Sequence, residues 1–442
     1  MRDTKRSAET ELSLALFALA LGAFGLKYFL NLILARNLPP EIYGDLALAF
    51  RVLGITAVVA LLGTGTSAKR FLGKYLRSDE SANVSGFLRW NTRLVARSFA
   101  LCVALGVVSL LVMTGLHAFG LKDIDSYHLT AHMLWVAPAA ACVLLLASYL
   151  LCVEHPVASE ASRLLPVALQ VGLFGAAIWI VGSLSSNVLI AVILLVAASI
   201  SVLAQIIYIY ARAPGLLDEF RLARVRPSRA QEREWMRVSV RLSANQIFFL
   251  ILGSLDILIL EIAPVNEAYV GYYGATLTIV NFVWLIPEGT VKPMTAKIST
   301  LIATAAGRVE LQQHLNRALA MNLIVGSVIA TAIIVLSSTL LSHFGPGYVA
   351  ARPALIIAVC GALLGIMARP AAVVLAYSDL ETDLLKLSIV ELVILLVCGA
   401  LLVIPFGMEG VATALVVSIV VKAALAGSIV RRHFGLKPFG IF

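Results

Sequence analysis

The chain has 442 residues, of which 60% are hydrophobic and 13% charged, with a formal net charge of +9 and a mean hydropathy of +0.95. Soluble proteins carry about a quarter charged residues, so a soluble enzyme is excluded. In a chain this apolar, a basic balance reflects the composition of cytoplasmic loops and not nucleic-acid binding.

The opening MRDTKRSAETELSLALFALALGAFGLKYFLNLIL starts basic, but its apolar run is longer than a signal-peptide core and carries Lys27 and Asn31, so it reads as a retained first span. Punctuating the rest at charged, Pro and Gly clusters predicts spans near 12–36, 45–67, 95–117, 130–152, 164–183 and 187–210. After a polar interval come 239–262, 269–290, 318–342, 353–377, 384–404 and 409–430. Lipid offers backbone groups no hydrogen-bond partner, and runs this long and continuous are helices, not alternating barrel strands. The expected fold is an all-α integral membrane protein of about twelve helices in two six-helix lobes, residues 1–210 and 239–442, joined by a basic linker over 211–238. With the N-terminus inside, 26 lysines and arginines fall on the cytoplasmic side against Arg36, Lys122 and Arg352 outside. That bias places both termini in the cytoplasm.

The longest polar stretch, 211–241, repeats Leu216, Leu217, Phe220 and Ala223 at helical spacing among arginines. It reads equally as an interfacial amphipathic helix and as a solvated connector. The halves echo each other: Glu41, Tyr43 and Gly44 after the first span match Glu267, Tyr269 and Gly271 after the seventh. Six spans per half makes the repeats parallel, with a substrate site expected between halves near mid-bilayer. The five cysteines all lie in apolar runs without ligand spacing, so neither a disulfide frame nor a zinc site is expected.

Ionisable groups inside spans carry the functional signal, because each costs about 2.5–3.5 kcal/mol on insertion scales. Lys27 lies too deep to snorkel comfortably, and Asn31 shares its face at i+4. Arg51 enters from the second helix, and Arg369, before the kink expected at Pro370, from the second half. A guanidinium suits phosphate because its planar fork donates two hydrogen bonds at once. Lys27, Asn31, Arg51 and Arg369 are therefore the candidate substrate contacts. Arg97 and Lys422, nearer the cytoplasmic face, are expected to snorkel. Asp256 and Glu391 each read as a counter-ion, a proton or sodium site, or a helix-packing group, with the counter-ion reading leading for Asp256. No GxSxG, HExxH or Walker loop is present and the histidines lack metal spacing, so neither catalysis nor a cofactor is expected.

LARNLPPEIYGDLALAFRVLG resembles the segment joining the first two helices in the polysaccharide transporter branch, the Wzx-type flippases, of the MOP exporter superfamily. There Leu-Gly-Pro-Glu-x-Tyr-Gly is common, and Pro39 stands where the pattern has Gly. DILILEIAPVNEAYVGYYGATLTIVNFVWLIPEGTVKPMTAKIS, FGPGYVAARPALIIAV and IPFGMEGVATALVVSIVV resemble the seventh and eighth helices, the ninth-to-tenth junction and the last hairpin. The resemblance implies a two-lobed, V-shaped transporter of the bacterial inner membrane. It would flip an undecaprenyl-diphosphate oligosaccharide for O-antigen or exopolysaccharide by alternating access. It also implies cavity cations on the first two helices, which Lys27 and Arg51 approximately match. Moving the anion outward is favoured by an inside-negative potential, by about 2.3 kcal/mol per charge per 100 mV; coupling to H+ or Na+ stays open. The rivals are a cation-coupled multidrug exporter, disfavoured because deep cations outnumber deep acids, and a membrane-embedded glycosyltransferase or ligase, disfavoured by outer loops of ordinary connector length.

Overall fold

Helices satisfy their own backbone, which is why they are the solution open to this composition in lipid. The computed structural model describes residues 2–78, 80–119, 128–182, 184, 186–214, 227–291, 298, 301–378 and 380–440, and among these the regular structure is entirely helical. Helix α1 spans Arg2–Asn37, α2 Pro40–Leu61, α3 Thr64–Arg77, α4 Ser81–Ala118, α5 Leu129–Cys152, α6 Pro156–Val181 and α7 Asn187–Arg212. Then follow α8 Arg229–Leu252, α9 Leu255–Ile262, α10 Ala268–Trp284, α11 Ile286–Thr290, α12 Ala305–Val335 and α13 Ser337–Phe344. A 3-10 turn over Pro346–Ala351, α14 Arg352–Ala376 and α15 Glu381–Phe434 complete the chain. The candidate amphipathic residues Leu216, Leu217, Phe220 and Ala223 lie outside the described residues.

Among the described residues nine helices are long and apolar enough to cross a membrane, or ten when α8 and α9, bent by 55°, count as one span. Helix α15, at 54 residues, would reach about 80 Å if straight, against a hydrocarbon core of about 30 Å. It is not straight. Gly407 (φ 54°, ψ −127°) breaks it, Gly410 lies against the Leu402 carbonyl, and Lys422 returns to Glu391 at 2.6 Å. The two arms are the eleventh and twelfth expected spans, folded as a hairpin. The eighth span is α10 continued through Pro287 by α11, and each of the twelve expected segments has a helical counterpart.

Two expected boundaries are corrected. The span expected over 45–67 ends at Leu61, because Leu62 (φ 48°) and Gly63 (φ 75°) turn left-handed. Only glycine fits the second position, since a side chain there would run into the Ser239 carbonyl. The following α3 buries Ala68, Phe71 and Leu72 while exposing Lys69, Arg70 and Lys74, the pattern of a helix lying at an interface. The span expected as continuous over 239–262 is broken at Gly253–Ser254.

The chain divides into two compact units, Met1–Leu38 with Asp45–Gly253, and Pro39–Gly44 with Ser254–Phe442. The division falls at the break between α8 and α9, so α8 packs with the first unit. In unit 1 the core beside α3 is aromatic: Phe87 meets Trp90 at 5.6 Å and Trp235 at 5.3 Å between ring centroids. In unit 2, Gly361 and Gly365 of α14 let Val416 and Trp284 approach its backbone, the small-residue packing that membrane helices use without a hydrophobic driving force between them. The echoed motifs also meet in unit 2. A Cβ on Gly44 would lie 2.8 Å from the Gly271 nitrogen, and one on Gly271 would collide with the Pro40 carbonyl. Beside them Tyr43 and Tyr272 both pack edge-on against Tyr348, at 6.0 and 5.1 Å.

Candidate functional site

In unit 2 the α15 hairpin and α14 enclose a cavity of about 150 Å³ lined by Arg369, Glu391 and Lys422 together with Trp284 and small residues such as Gly365 and Ala368. Lys422 Nζ donates to Glu391 Oε2 at 2.6 Å, with side chains 20% and 12% exposed. Lys422, expected to snorkel, is instead held on a carboxylate about 18 Å along the helix from its end at Phe434. Among the described residues Arg369, by contrast, has no hydrogen-bond or ion-pair partner, and it is exposed. With one carboxylate already answered by one ammonium, the cavity keeps a net positive charge through Arg369.

The direction of Arg369 follows from local chemistry. Pro370 removes the N–H that would bond the Ile366 carbonyl one turn back. Asn322, fully buried on α12, replaces it: its Nδ2 donates to Ile366 O at 2.7 Å, and its Oδ1 accepts from the Thr290 hydroxyl at 2.5 Å. An unsatisfied carbonyl here would cost about 1–3 kcal/mol. The chain Thr290–Asn322–Ile366 therefore stabilises the proline-bearing segment from which Arg369 projects.

In unit 1, Arg51 Nη1 donates to the Gly253 carbonyl, at the C-terminal end of α8 where helix carbonyls lose their intrahelical donors. Gly253 O is the one partner of this guanidinium among the described residues. Arg51 thus closes the broken end of α8, and broken helices at membrane depth are where transporters bind substrates. Lys27 is exposed on α1, in the apolar span Ala18–Asn37, and its ammonium has no partner among the described residues. Asn31 donates from Nδ2 to Lys27 O at 2.8 Å, a back-bond along the helix that keeps the amide beside the lysine.

Asp256 is 4% exposed in the first turn of α9. Its Oδ1 accepts from the Ile257 N–H at 2.9 Å and its Oδ2 from the Tyr273 hydroxyl at 3.2 Å. The carboxylate read as a counter-ion therefore has a backbone amide and a phenol for company, and among the described residues no cation bonds it. It starts the short helix, using a negative charge where the helix dipole favours one.

The structure thus brings Arg369 and Glu391 to one cavity and adds Lys422. Lys27 and Asn31 share one helix face, Arg51 caps the Gly253 end of α8 in unit 1, and Asp256 lies in the first turn of α9 in unit 2. Asn322 and Thr290 escaped the sequence reading. Their signal, a lone Asn inside the apolar run MNLIV and a Thr after Pro287, is common in packing positions. Gln205 behaves as packing glue, its Nε2 3.3 Å from both Val143 O and Ser162 O.

Comparison with known proteins adds family and fold. The model of the family described as polysaccharide biosynthesis protein matches residues 13–299. No curated protein matches significantly. Among solved structures, the inward-facing conformation of a multidrug resistance MATE family transporter of the MOP superfamily aligns with a TM-score of 0.74 at 17% identity, over 93% of this chain and 94% of that one. An outward-facing conformation of such a transporter aligns at 0.62 and 17%, over 96% and 95%. A MOP superfamily transporter from Pyrococcus furiosus, described as having a binding pocket of reverse polarity, aligns at 0.59 and 17%, over 96% and 95%. At these identities the likeness is one of fold.

Proposed function

The chain belongs to the polysaccharide biosynthesis protein family and has the MATE-like fold, and from that premise we propose that it is a flippase for a lipid-linked oligosaccharide. Its cargo is an undecaprenyl-diphosphate repeat unit for O-antigen or exopolysaccharide, carried to the outer leaflet of the bacterial inner membrane by alternating access. The observation that carries the reading is the charge balance at Arg369: Glu391 is already bonded to Lys422, so the cavity presents a guanidinium with no acidic partner among the described residues. A membrane-depth cation left in that state suits a diphosphate and repels a cationic drug. Lys27 supports the same reading, because an exposed ammonium inside an apolar span costs least when it faces water instead of acyl chains. Arg51 contributes a further phosphate contact with the donors that its Gly253 bond leaves over, and Asp256 anchors the start of α9.

Charge-assisted hydrogen bonds are each worth about 1.5–3 kcal/mol, so losing two phosphate contacts abolishes useful turnover. The double variant Lys27→Gln/Arg369→Gln is expected to leave cells without surface polysaccharide while the protein stays at its normal level in the membrane. Immunoblotting for protein and staining for polysaccharide read both. Normal polysaccharide in that variant would reject these residues as the binding groups.

A further inference from the structure

A second basic feature lies in unit 1, lined by none of the candidate substrate contacts Lys27, Asn31, Arg51 and Arg369. Arg93 and Arg97 of α4 and Arg229 and Arg233 of α8 line one groove of about 480 Å³ with Trp90, Leu94, Met236 and a single acid, Glu232. All four arginines are exposed. Arg93 donates from Nε to the Arg89 carbonyl at 3.3 Å, and among the described residues none of the four is in an ion pair. The groove is built on a stiff base. Trp90 packs on Trp235 at 5.5 Å between centroids, and Trp235 Nε1 donates to the Tyr75 hydroxyl at 3.2 Å. Gln231 ties α8 to Asn83 of α4 at 3.1 Å. Ser228 caps α8 with its hydroxyl accepting from the Gln231 N–H at 3.2 Å, so the positive end of the helix dipole adds to Arg229.

What lies next to the groove decides the kind of ligand. Arg93, Arg97, Leu101, Leu105 and Val108 recur at i+4 and i+3 and so share one face of α4. Leu101, Leu105 and Val108 are 61%, 50% and 56% exposed within a span of high hydropathy. One helix face therefore passes from guanidinium to lipid-facing hydrocarbon within a few turns. A nucleic acid or an acidic peptide would match the arginines and leave the apolar continuation uncovered. A phosphate with acyl chains attached matches both.

We propose that this groove is a binding site for the phosphodiester headgroup of an anionic phospholipid in the leaflet it faces, the cytoplasmic one by the positive-inside bias. The arginines hold the phosphate, Trp90 and Leu94 receive the glycerol region, and the acyl chains run along Leu101 and Leu105. The site is separate from the cargo reading and does not depend on it. Basic residues near an anionic bilayer surface bind it electrostatically, and screening at 1 M salt shortens the Debye length to about 3 Å.

The test uses the purified full-length protein in mixed micelles of phosphatidylglycerol and phosphatidylcholine, with retained lipid quantified after gel filtration. The wild type is expected to enrich phosphatidylglycerol roughly tenfold or more, an enrichment that 1 M salt removes. Arg93→Gln/Arg97→Gln/Arg229→Gln/Arg233→Gln is expected to bring retention to parity. The corresponding Arg→Lys set, which keeps the charge, is expected to preserve most of it. Undiminished enrichment in the glutamine variant would overturn the proposal. So would equal loss on neutralising Arg431 and Arg432 of unit 2, which would show unspecific charge. Displacement of the lipid by inorganic pyrophosphate, or a strong preference for a polyprenyl diphosphate over phosphatidylglycerol, would reject a bulk phospholipid as the occupant.

Discussion

Glu391→Gln is expected to destabilise the protein by about 2–3 kcal/mol, below the range of about 3–5 kcal/mol for stripping one partner from a fully buried ion pair, because Glu391 and Lys422 are half-buried. The carboxylate is the one anion lining a cavity that also holds Lys422 and Arg369. Its removal leaves two cations facing each other without compensation. Lys422→Met is expected to cost less, because Arg369 lines the same cavity and becomes the cation available to Glu391. The double variant Glu391→Leu/Lys422→Met is expected to recover most of the loss, since desolvation of both charges disappears together. Thermal unfolding in detergent reads all three. Equal midpoints for Glu391→Gln and the wild type would show that the pair is not desolvated.

Gly271→Val is expected to be comparably damaging for a steric reason. A Cβ there runs into the Pro40 carbonyl, which is backbone and cannot rotate away, and Gly44 is packed against the same spot from the other segment. Overpacking of this kind costs about 1–3 kcal/mol in well-packed cores, and a β-branched side chain falls at the upper end. Gly175→Ala on α6, where nothing lies within 4 Å, is the control. It is expected to be neutral or to stabilise by up to about 1 kcal/mol, the gain from removing a helix-interior glycine. Monodispersity on gel filtration and the unfolding midpoint separate the two. An undisturbed Gly271→Val protein would mean that the echoed motifs do not pack as described.

These positions also show where sequence reading reached and where it stopped. The apolar spans were legible because hydrocarbon demands about twenty apolar residues at a time, and composition alone announces them. The echo of Glu41, Tyr43 and Gly44 in Glu267, Tyr269 and Gly271 was legible as similarity. Its physical content, glycine backbone packed on glycine backbone, needed coordinates. The ion pair was hidden because Glu391 and Lys422 are 31 residues apart and meet only once Gly407 reverses the chain. Pro370 announced itself, whereas Asn322, 44 residues from the carbonyl it satisfies, did not. The break at Gly253–Ser254 carried a signal in the pair Gly-Ser inside ILGSLD, overridden by the apolar continuity around it. Arg51 could be picked out as a deep cation, but its bond to Gly253 O follows from that break and was out of reach.

Handling of a lipid-linked diphosphate by the cations proposed above is measured most directly as outward movement of a fluorescent undecaprenyl-diphosphate oligosaccharide in proteoliposomes, scored by the label reached by a membrane-impermeant quencher. The wild-type protein is expected to expose label on the far leaflet, faster when the starting side is held negative, and Arg369→Gln is expected to fall to the rate of protein-free vesicles. Movement unaffected by Arg369→Gln, or export of a cationic dye with no movement of the glycan lipid, would contradict the account.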